Sequence, residues 1–228
     1  MTFKFNKKVF LMFGSLVLFL IITMLSLQNK LNYLDQLVIN LLIDNSPSFV
    51  VATMDTITVA GSVESIVIMT FLAALLLLYK RRFGYIVFLF SLTFGGIILN
   101  FLLKILFQRE RPGETSVIEI FGYSLEMSSY SFPSGHTMRS VLFFFFIMYI
   151  GYYFIKKNPV KIGVIVAMSL LIVAISLSRI IVGAHFPSDI LAAVAVSISW
   201  FYFCLLTLEH LQFLPSSLTL DSGTIVKK

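Results

Sequence analysis

Cysteine and charge are both scarce in this sequence, and each shortage excludes a class of protein. The single cysteine, Cys204, cannot form a disulfide within the chain, and no cysteine or histidine spacing around it is typical of a metal site. Only 12% of the residues are charged, whereas 58% are hydrophobic. A soluble domain of 228 residues could not bury that much apolar surface. The composition therefore predicts an integral membrane protein in which Cys204 is a small buried side chain.

The formal charge of +6 does not indicate nucleic acid binding, because no soluble segment interleaves lysines with aromatic residues. The carboxylates form no cluster along the chain that would hold magnesium. We therefore expect no nucleic acid partner, no metal, no other cofactor and no required protein partner.

Six apolar runs are each long enough to cross the hydrocarbon of a bilayer. A secretory signal peptide is the alternative for the first run, but no small-residue cleavage site follows it. The sequence therefore predicts an all-α polytopic membrane protein whose six transmembrane helices form one domain over residues 1–208. The predicted spans are residues 9–27, 61–79, 83–107, 137–155, 162–177 and 190–208.

A short interfacial helix is predicted after the first span, because apolar residues recur there at helical spacing. The apolar positions are Leu34, Leu37, Val38, Leu41 and Leu42, and the polar positions elsewhere on the wheel are Asp35, Gln36, Asn40 and Asp44. Residues 209–228 are predicted to be a cytoplasmic tail that is largely disordered.

The distribution of positive charge predicts the orientation in the cell membrane. If both termini are cytoplasmic, 11 of the 17 lysines and arginines lie on the cytoplasmic side, and nine of the eleven carboxylates lie outside. Five of the other six cations nevertheless lie near outer helix ends, where an anion is needed to explain them, either a ligand or the neighbouring carboxylates. They are Lys104, Arg109, Arg111, Arg139 and Arg179.

Two groups of polar residues flank the predicted loop between the third and fourth spans. Lys104 lies on the last turns of a predicted helix, and Arg111 lies about two turns later if the helix continues as far as Pro112. Residues 133–136 read Pro-Ser-Gly-His, which is typical of a helix N-terminus. The free backbone amides and the helix dipole at such an N-terminus favour an anion.

A third group lies between the fifth and sixth spans, within residues 178–189. Arg179 ends the fifth span, His185 follows in the loop, and Asp189 lies close behind Pro187 in the first turn of the sixth span. Such polar residues are costly between two membrane-spanning runs unless they have a function. We therefore interpret His185 as a reactive group.

Together the three blocks resemble the signature of the type 2 phosphatidic acid phosphatase family, whose site is shared by vanadium haloperoxidases and some soluble acid phosphatases. Residues 104–112 match lysine, six residues, Arg-Pro, and residues 133–136 match Pro-Ser-Gly-His. Residues 178–189 match Ser-Arg, five residues, histidine, three residues, aspartate. No signature position departs from the pattern, and the six-span layout extends the resemblance over most of the chain.

The resemblance implies a phosphate-binding cradle, and the chemistry of the side chains agrees with it. Phosphoryl transfer requires donors aimed at the equatorial oxygens of phosphorus. These donors would be the side chains of Lys104, Arg111 and Arg179, the hydroxyl of Ser134 and the amides near Gly135.

Two histidines and one carboxylate would carry out the reaction. Neutral His185 would attack phosphorus in line and form a phosphohistidine, while Asp189 accepts the proton on the other ring nitrogen. His136 would protonate the departing oxygen and then assist the water that releases phosphate. The cations already balance the charge of the phosphate, so this chemistry requires no metal.

Each residue also has a structural interpretation. Ser134 and Asp189 are of types that commonly cap helices, and Lys104 and Arg139 are of the type that extends toward the membrane surface. For Arg139 we favour that interpretation or a contact with a lipid headgroup. Arg109 and Glu110 are expected to pair with each other or with the surroundings of Arg111, outside the core site.

The predicted substrate is a membrane lipid phosphate, because an outer-face site between apolar helices suits a headgroup phosphate with its tail in the bilayer. The family resemblance implies undecaprenyl diphosphate, phosphatidylglycerophosphate or phosphatidic acid. A lipid transporter or flippase is the alternative, since intramembrane charges also mark transport paths, although no internal repeat or broken helix favours it. Vanadate-dependent peroxidases are soluble, which argues against their chemistry here.

Overall fold

The computed structural model describes residues 6–43, 46–112, 118–120, 123–125 and 130–215. Eight helices and a short antiparallel hairpin make up these residues, with a single 3-10 turn before α4. The helices are α1 (Lys7–Leu27), α2 (Asn32–Ile43), α3 (Ser48–Thr58), α4 (Val63–Tyr79), α5 (Phe83–Phe107), α6 (Gly135–Phe154), α7 (Asn158–Ile181) and α8 (Pro187–His210). The strands are β1 (Ile118–Ile120) and β2 (Tyr123–Leu125), paired so that Ile118 lies opposite Leu125.

Five helices, α1 and α5 to α8, are at least 18 residues long and apolar enough to cross a membrane. The helix α4 has 17 residues, which rise about 25 Å and reach the lower limit for a spanning helix. The predicted all-α membrane fold is confirmed, and each of the six predicted spans coincides with one helix.

Aromatic packing holds the centre of the bundle together. The Phe88 ring of α5 lies 5.8 Å from the Phe146 ring of α6 and 5.3 Å from the Phe201 ring of α8, measured between centroids. Lipid chains are as apolar as phenylalanine, so close packing rather than removal from water stabilises these contacts in a bilayer. They fix α5, α6 and α8 relative to one another, and these helices carry four of the predicted site residues.

The two ends of the bundle differ in chemistry. At one end, Lys8 Nζ lies 2.5 Å from Glu209 Oε1, and the Arg82 guanidinium lies 5.1 Å from the centroid of the Phe154 ring. These cations are among those that the sequence groups on the cytoplasmic side. The opposite end holds the C-termini of α5 and α7 and the N-termini of α6 and α8, where the three signature blocks lie.

The segment between α1 and α4 forms two helices, α2 and α3, where one interfacial helix was predicted. In α2, Leu34, Leu37 and Leu41 are about half exposed, whereas Asp35 is only 2% exposed. The outward leucines suit a helix at a membrane interface. The burial of Asp35 is a feature that the amphipathic pattern does not predict. Asp44 lies outside the described residues.

The C-terminal boundary also differs from the prediction. Helix α8 continues to His210, and the next residues turn back so that Leu214 is buried. A Cβ atom at Gly84 would lie 1.8 Å from the carbonyl oxygen of Phe213, so glycine is needed where this turn meets α5. The packed domain therefore extends past Leu208, and the rest of the predicted tail, residues 216–228, lies outside the described residues.

Candidate active site

The loop that carries His185 is folded tightly against the end of α7. The carbonyl of Arg179 accepts hydrogen bonds from the amides of Ala184 and His185, at 3.0 and 3.1 Å. Gly183 has φ +70°, a left-handed conformation that favours glycine. These contacts fix His185 between α7 and α8, and its imidazole is 2% exposed.

Asp189 contacts the imidazole of His185 at the start of α8. Its Oδ2 atom lies 3.4 Å from His185 Nδ1 and accepts a hydrogen bond from the amide of Phe186 at 2.8 Å. The hydroxyl of Ser131 donates to the same carboxylate oxygen and lies 3.2 Å from His185 Nδ1. Asp189 thus caps α8 and faces the histidine at once, so one conformation is compatible with both interpretations, and the functional one stays a prediction.

The N-terminus of α6 forms the floor of the site. Ser134 is the N-cap residue, but its side chain does not cap the helix, and its buried Oγ has no hydrogen-bond partner among the described residues. A Cβ atom at Gly135 would lie 2.9 Å from Arg139 Nη1 and 3.0 Å from Asn100 Oδ1, so glycine is needed there. A free hydroxyl beside free helix amides is suited to an anion.

Three predicted cations converge on this floor from different elements. Lys104 of α5 donates to the carbonyl of Tyr130, and Arg179 Nη1 of α7 donates to Thr58 Oγ1 at 2.9 Å. Arg179 Nε is buried and has no hydrogen-bond partner among the described residues. Lys104 and Arg179 each interact electrostatically with Arg111. Like charges brought together in this way repel one another, and an anion placed among them would be stabilised.

His136, the second residue of α6, lies in the same positive environment. The charged and titratable groups within electrostatic range of it are Arg179, Arg139, His185 and Arg111. All eight predicted site residues are therefore gathered at one end of the bundle.

Burial sets the protonation state of His185. Burial lowers the pKa of its imidazole to about 4, and Lys104 and Arg111 act in the same direction, whereas Asp189 opposes them. Burial likewise lowers the pKa of Arg111 below its ordinary value, against the effect of Asp189. His185 is therefore neutral at neutral pH, which is the nucleophilic form of an imidazole.

The path of the chain to Arg111 differs from the prediction. Helix α5 ends at Phe107, because Gln108 adopts a left-handed conformation with φ 46°, and Pro112 does not end it. The carbonyl of Arg109 then accepts a hydrogen bond from the Ser131 amide at 2.7 Å. Arg111 thus reaches the site from a non-helical segment rather than from two further helical turns.

Two arginines outside the predicted core are also directed inward. Arg139 is partly buried and donates through Nε to the Gly61 carbonyl at 3.2 Å, so the interpretation as a side chain extending to the membrane surface is wrong. Arg109 pairs with Asp189, a carboxylate that also interacts electrostatically with Arg111, so it lies in the surroundings of Arg111 but beside the predicted site. Ser131 was missed entirely, and only its closeness to the Pro-Ser-Gly-His block could have drawn attention to it.

The fold and these contacts define a helical membrane protein in which a cluster of cations and a helix N-terminus lie beside a histidine–aspartate pair. The model of the PAP2 superfamily matches residues 84–212, which is more than half of the chain. The chain belongs to the PAP2 superfamily, as the resemblance predicted.

Two known proteins are similar to the chain. Phosphatidylglycerophosphatase B of Bacillus subtilis (strain 168) is 30% identical over 119 residues, which is 50% of this chain. The chain thus spans about half of that curated relative, since the matched part is 54% of it. The second is a transmembrane PAP2 type phosphatidylglycerolphosphate phosphatase from Bacillus subtilis, known from a crystal structure. It superposes with a TM-score of 0.73 at 21% identity, over 88% of this chain and 97% of its own, and this likeness concerns the fold alone.

Proposed function

We propose that this protein is a metal-independent membrane lipid phosphatase that acts through a phosphohistidine at His185. One observation carries the proposal. The imidazole held by Asp189 lies among the cations Lys104 and Arg111, beside a helix N-terminus whose Ser134 hydroxyl has no partner among the described residues. A phosphate group would balance the charge of these cations and accept a hydrogen bond from the Ser134 hydroxyl.

The first step is the transfer of the phosphoryl group to the enzyme. Asp189 and Ser131 face Nδ1 of His185, so Nε2 is the nitrogen available for attack. The Nε2–phosphorus bond forms as the bond from phosphorus to the leaving oxygen breaks. His136, whose protonated form the bound phosphate anion would stabilise against the surrounding cations, donates a proton to that oxygen. The guanidinium groups of Arg111 and Arg179 stabilise the charge on the equatorial oxygens.

The second step returns the enzyme to its starting state. His136, which has lost its proton, accepts one from a water molecule as the water oxygen attacks phosphorus. The Nε2–phosphorus bond breaks, inorganic phosphate leaves, and both histidines regain their initial forms. Asp189 stabilises the positive charge that His185 carries while it is phosphorylated. The expectation that no metal takes part stays a prediction.

The substrate class follows from the position of the site at a bundle end surrounded by apolar helices. A lipid could present its phosphate to the cradle while its tail remains in the bilayer. Phosphatidylglycerophosphate is our first candidate, because both similar proteins are named for activity on it. Phosphatidic acid and undecaprenyl diphosphate remain candidates, because the proposed cradle binds only the terminal phosphate group that all three lipids carry.

We further propose that the cradle faces outward in the cell membrane. The opposite end of the bundle carries Lys8 and Arg82, and the positive-inside rule favours the cytoplasm for that end. Both termini would then be cytoplasmic, and the membrane domain would cover residues 1–208 together with the turn that buries Leu214.

Phosphate release from a panel of lipids tests the proposed function. Detergent-solubilised protein should release phosphate from at least one of phosphatidylglycerophosphate, phosphatidic acid and undecaprenyl diphosphate, and EDTA should leave the rate unchanged. Intact cells should also hydrolyse a short-chain lipid phosphate that is added outside and cannot cross the membrane. A protein that moves these lipids between vesicle leaflets without releasing phosphate would be a transporter instead. A strong loss of phosphate release on addition of EDTA would indicate that a metal takes part.

The pH dependence of the reaction should reflect the lowered pKa of His185. The neutral imidazole persists until the pH falls toward its pKa of about 4, so kcat/KM should remain near its plateau down to about pH 5. The measurement is kcat/KM from pH 4 to 8, corrected for titration of the substrate phosphate itself. An acid limb with its midpoint near 6.5, the ordinary value of histidine, would contradict a buried nucleophile.

A further inference from the structure

Asp35 is the one residue of α2 that is buried among the described residues, with 2% exposure. Its helix otherwise turns leucines outward, so this carboxylate is the main polar group that α2 presents to the bundle. Burying a carboxylate is costly unless it is paired and hydrogen-bonded. Its partners therefore indicate what the residue does.

Both oxygens of Asp35 are used, and all of their partners lie beside the proposed site. Oδ1 accepts from the amide of Ser188 at 2.9 Å, and Oδ2 accepts from the hydroxyl of Ser188 at 2.6 Å. Oδ2 also lies 2.9 Å from Nη2 of Arg109. Asp35 thus joins α2 to the first turn of α8 and to the segment after α5.

Arg109 contacts both Asp35 and Asp189 and so connects the two carboxylates. Its Nη1 donates to Asp189 Oδ1 at 2.6 Å and to Ser188 Oγ at 2.7 Å, while Nη2 is held by Asp35. The guanidinium also lies over the ring of Phe186, 4.2 Å from its centroid. Because both terminal nitrogens, Nη1 and Nη2, and one face of the guanidinium are in contact, the orientation of its plane is fixed.

The two oxygens of Asp189 consequently have separate partners. Oδ1 faces Arg109, and Oδ2 faces His185, the amide of Phe186 and the hydroxyl of Ser131. A continuous series of polar contacts therefore runs from Asp35 through Arg109 and Asp189 to the imidazole.

We propose that Asp35 and Arg109 are positioning residues of the reaction, which hold the carboxylate of Asp189 in the rotamer that aims His185 at phosphorus. The inference rests on the proposed function and extends it to a helix outside the signature blocks. In metalloenzymes, removing a group that orients a metal-binding side chain lowers activity by about 10- to 100-fold. We take the same range for groups that orient a catalytic side chain here. A small misplacement of the imidazole has a similar cost, because in-line attack requires close alignment.

The test is Asp35→Asn in the full chain, which preserves the shape of the side chain and an acceptor for the Ser188 amide. We expect kcat to fall about 10- to 100-fold. We expect KM and the inhibition constant of inorganic phosphate to stay within about threefold, because the cradle itself is untouched. Arg179→Gln, which removes a cradle cation, should instead weaken inhibition by phosphate about tenfold or more.

Three further variants separate positioning from a general structural role. Glu209→Gln removes a comparable ion pair, with Lys8, at the other end of the bundle, and it should leave kcat unchanged. Arg109→Gln should resemble Asp35→Asn, and the double variant should lose little more than either single variant, because the two residues act as a unit. Asp35→Glu should recover part of kcat. If Asp35→Asn does not yield monodisperse protein, Arg109→Gln carries the same expectation.

The outcomes are distinguishable. Wild-type protein that releases no phosphate from any lipid of the panel overturns the proposed function and this inference with it. Active wild type with an unchanged kcat in Asp35→Asn and Arg109→Gln overturns the inference alone. Parallel loss of kcat, of phosphate inhibition and of thermal stability also overturns it, because that pattern reports a purely structural contact.

Discussion

His185→Ala is expected to lower phosphate release by about 10⁴-fold or more, with the protein still folded. In the proposed mechanism the imidazole forms the bond to phosphorus, and no neighbouring side chain can replace it. Ser131 and Asp189 contact the ring at Nδ1 only, so their positions should survive its removal. The measurement is phosphate release from the best lipid of the panel, with thermal unfolding recorded in parallel.

His210→Ala is the matched control for this variant. His210 is an exposed histidine at the far end of α8, so its removal should leave the rate within about twofold. A His185→Ala protein that keeps more than about one per cent of wild-type activity would contradict covalent catalysis at this residue.

His136→Ala is expected to lower turnover of an alkyl lipid phosphate by about 10²- to 10⁴-fold. The residue is proposed to protonate the alkoxide in the first step and to activate water in the second. An aryl phosphate needs no proton on its leaving oxygen, so the first step should survive with it. The variant should release one equivalent of aryl alcohol in a rapid burst and then turn over slowly, as measured by stopped-flow absorbance.

Arg179→Gln is the comparison for the burst, because it removes a cradle cation and retains both histidines. It should react slowly with both substrates and give no burst, since the equatorial oxygens lose a donor in either case. A His136→Ala protein that also gives no burst, or that turns over alkyl phosphates normally, would exclude His136 as the general acid.

The sequence predicts the membrane fold well because composition and apolar run length are direct consequences of the bilayer. It does not predict α3, whose Thr53, Asp55 and Thr56 interrupt the apolar pattern and whose position depends on packing against α7. The end of α5 is missed for a related reason. Gln108 ends that helix through its backbone conformation, and nothing in the sequence before Pro112 signals it.

The signature blocks predict which residues gather at the site, because spacing fixes which end of a helix each one occupies. The contacts made by Arg109 and Asp35 could not be predicted in this way. They lie 74 positions apart in the sequence, and their pairing depends on how α2 docks against the first turn of α8. The amphipathic pattern separates Asp35 from the apolar positions of α2, but it does not indicate which groups its carboxylate contacts.

The same limitation applies to Ser131 and Arg139. Serine before a helix is too common to indicate a contact with a histidine, and an arginine near a membrane surface usually extends toward it. Their inward contacts with Asp189 and Gly61 appear only once α4, α6 and α8 are packed together.

Trapping the covalent intermediate tests the central claim most directly. The His136→Ala protein, mixed with an aryl phosphate and quenched in base, should carry one phosphoryl group that is stable to base and labile to acid. Peptide mass spectrometry should place that group on His185. Phosphate on another residue, or a burst without any phosphorylated protein, would contradict the mechanism.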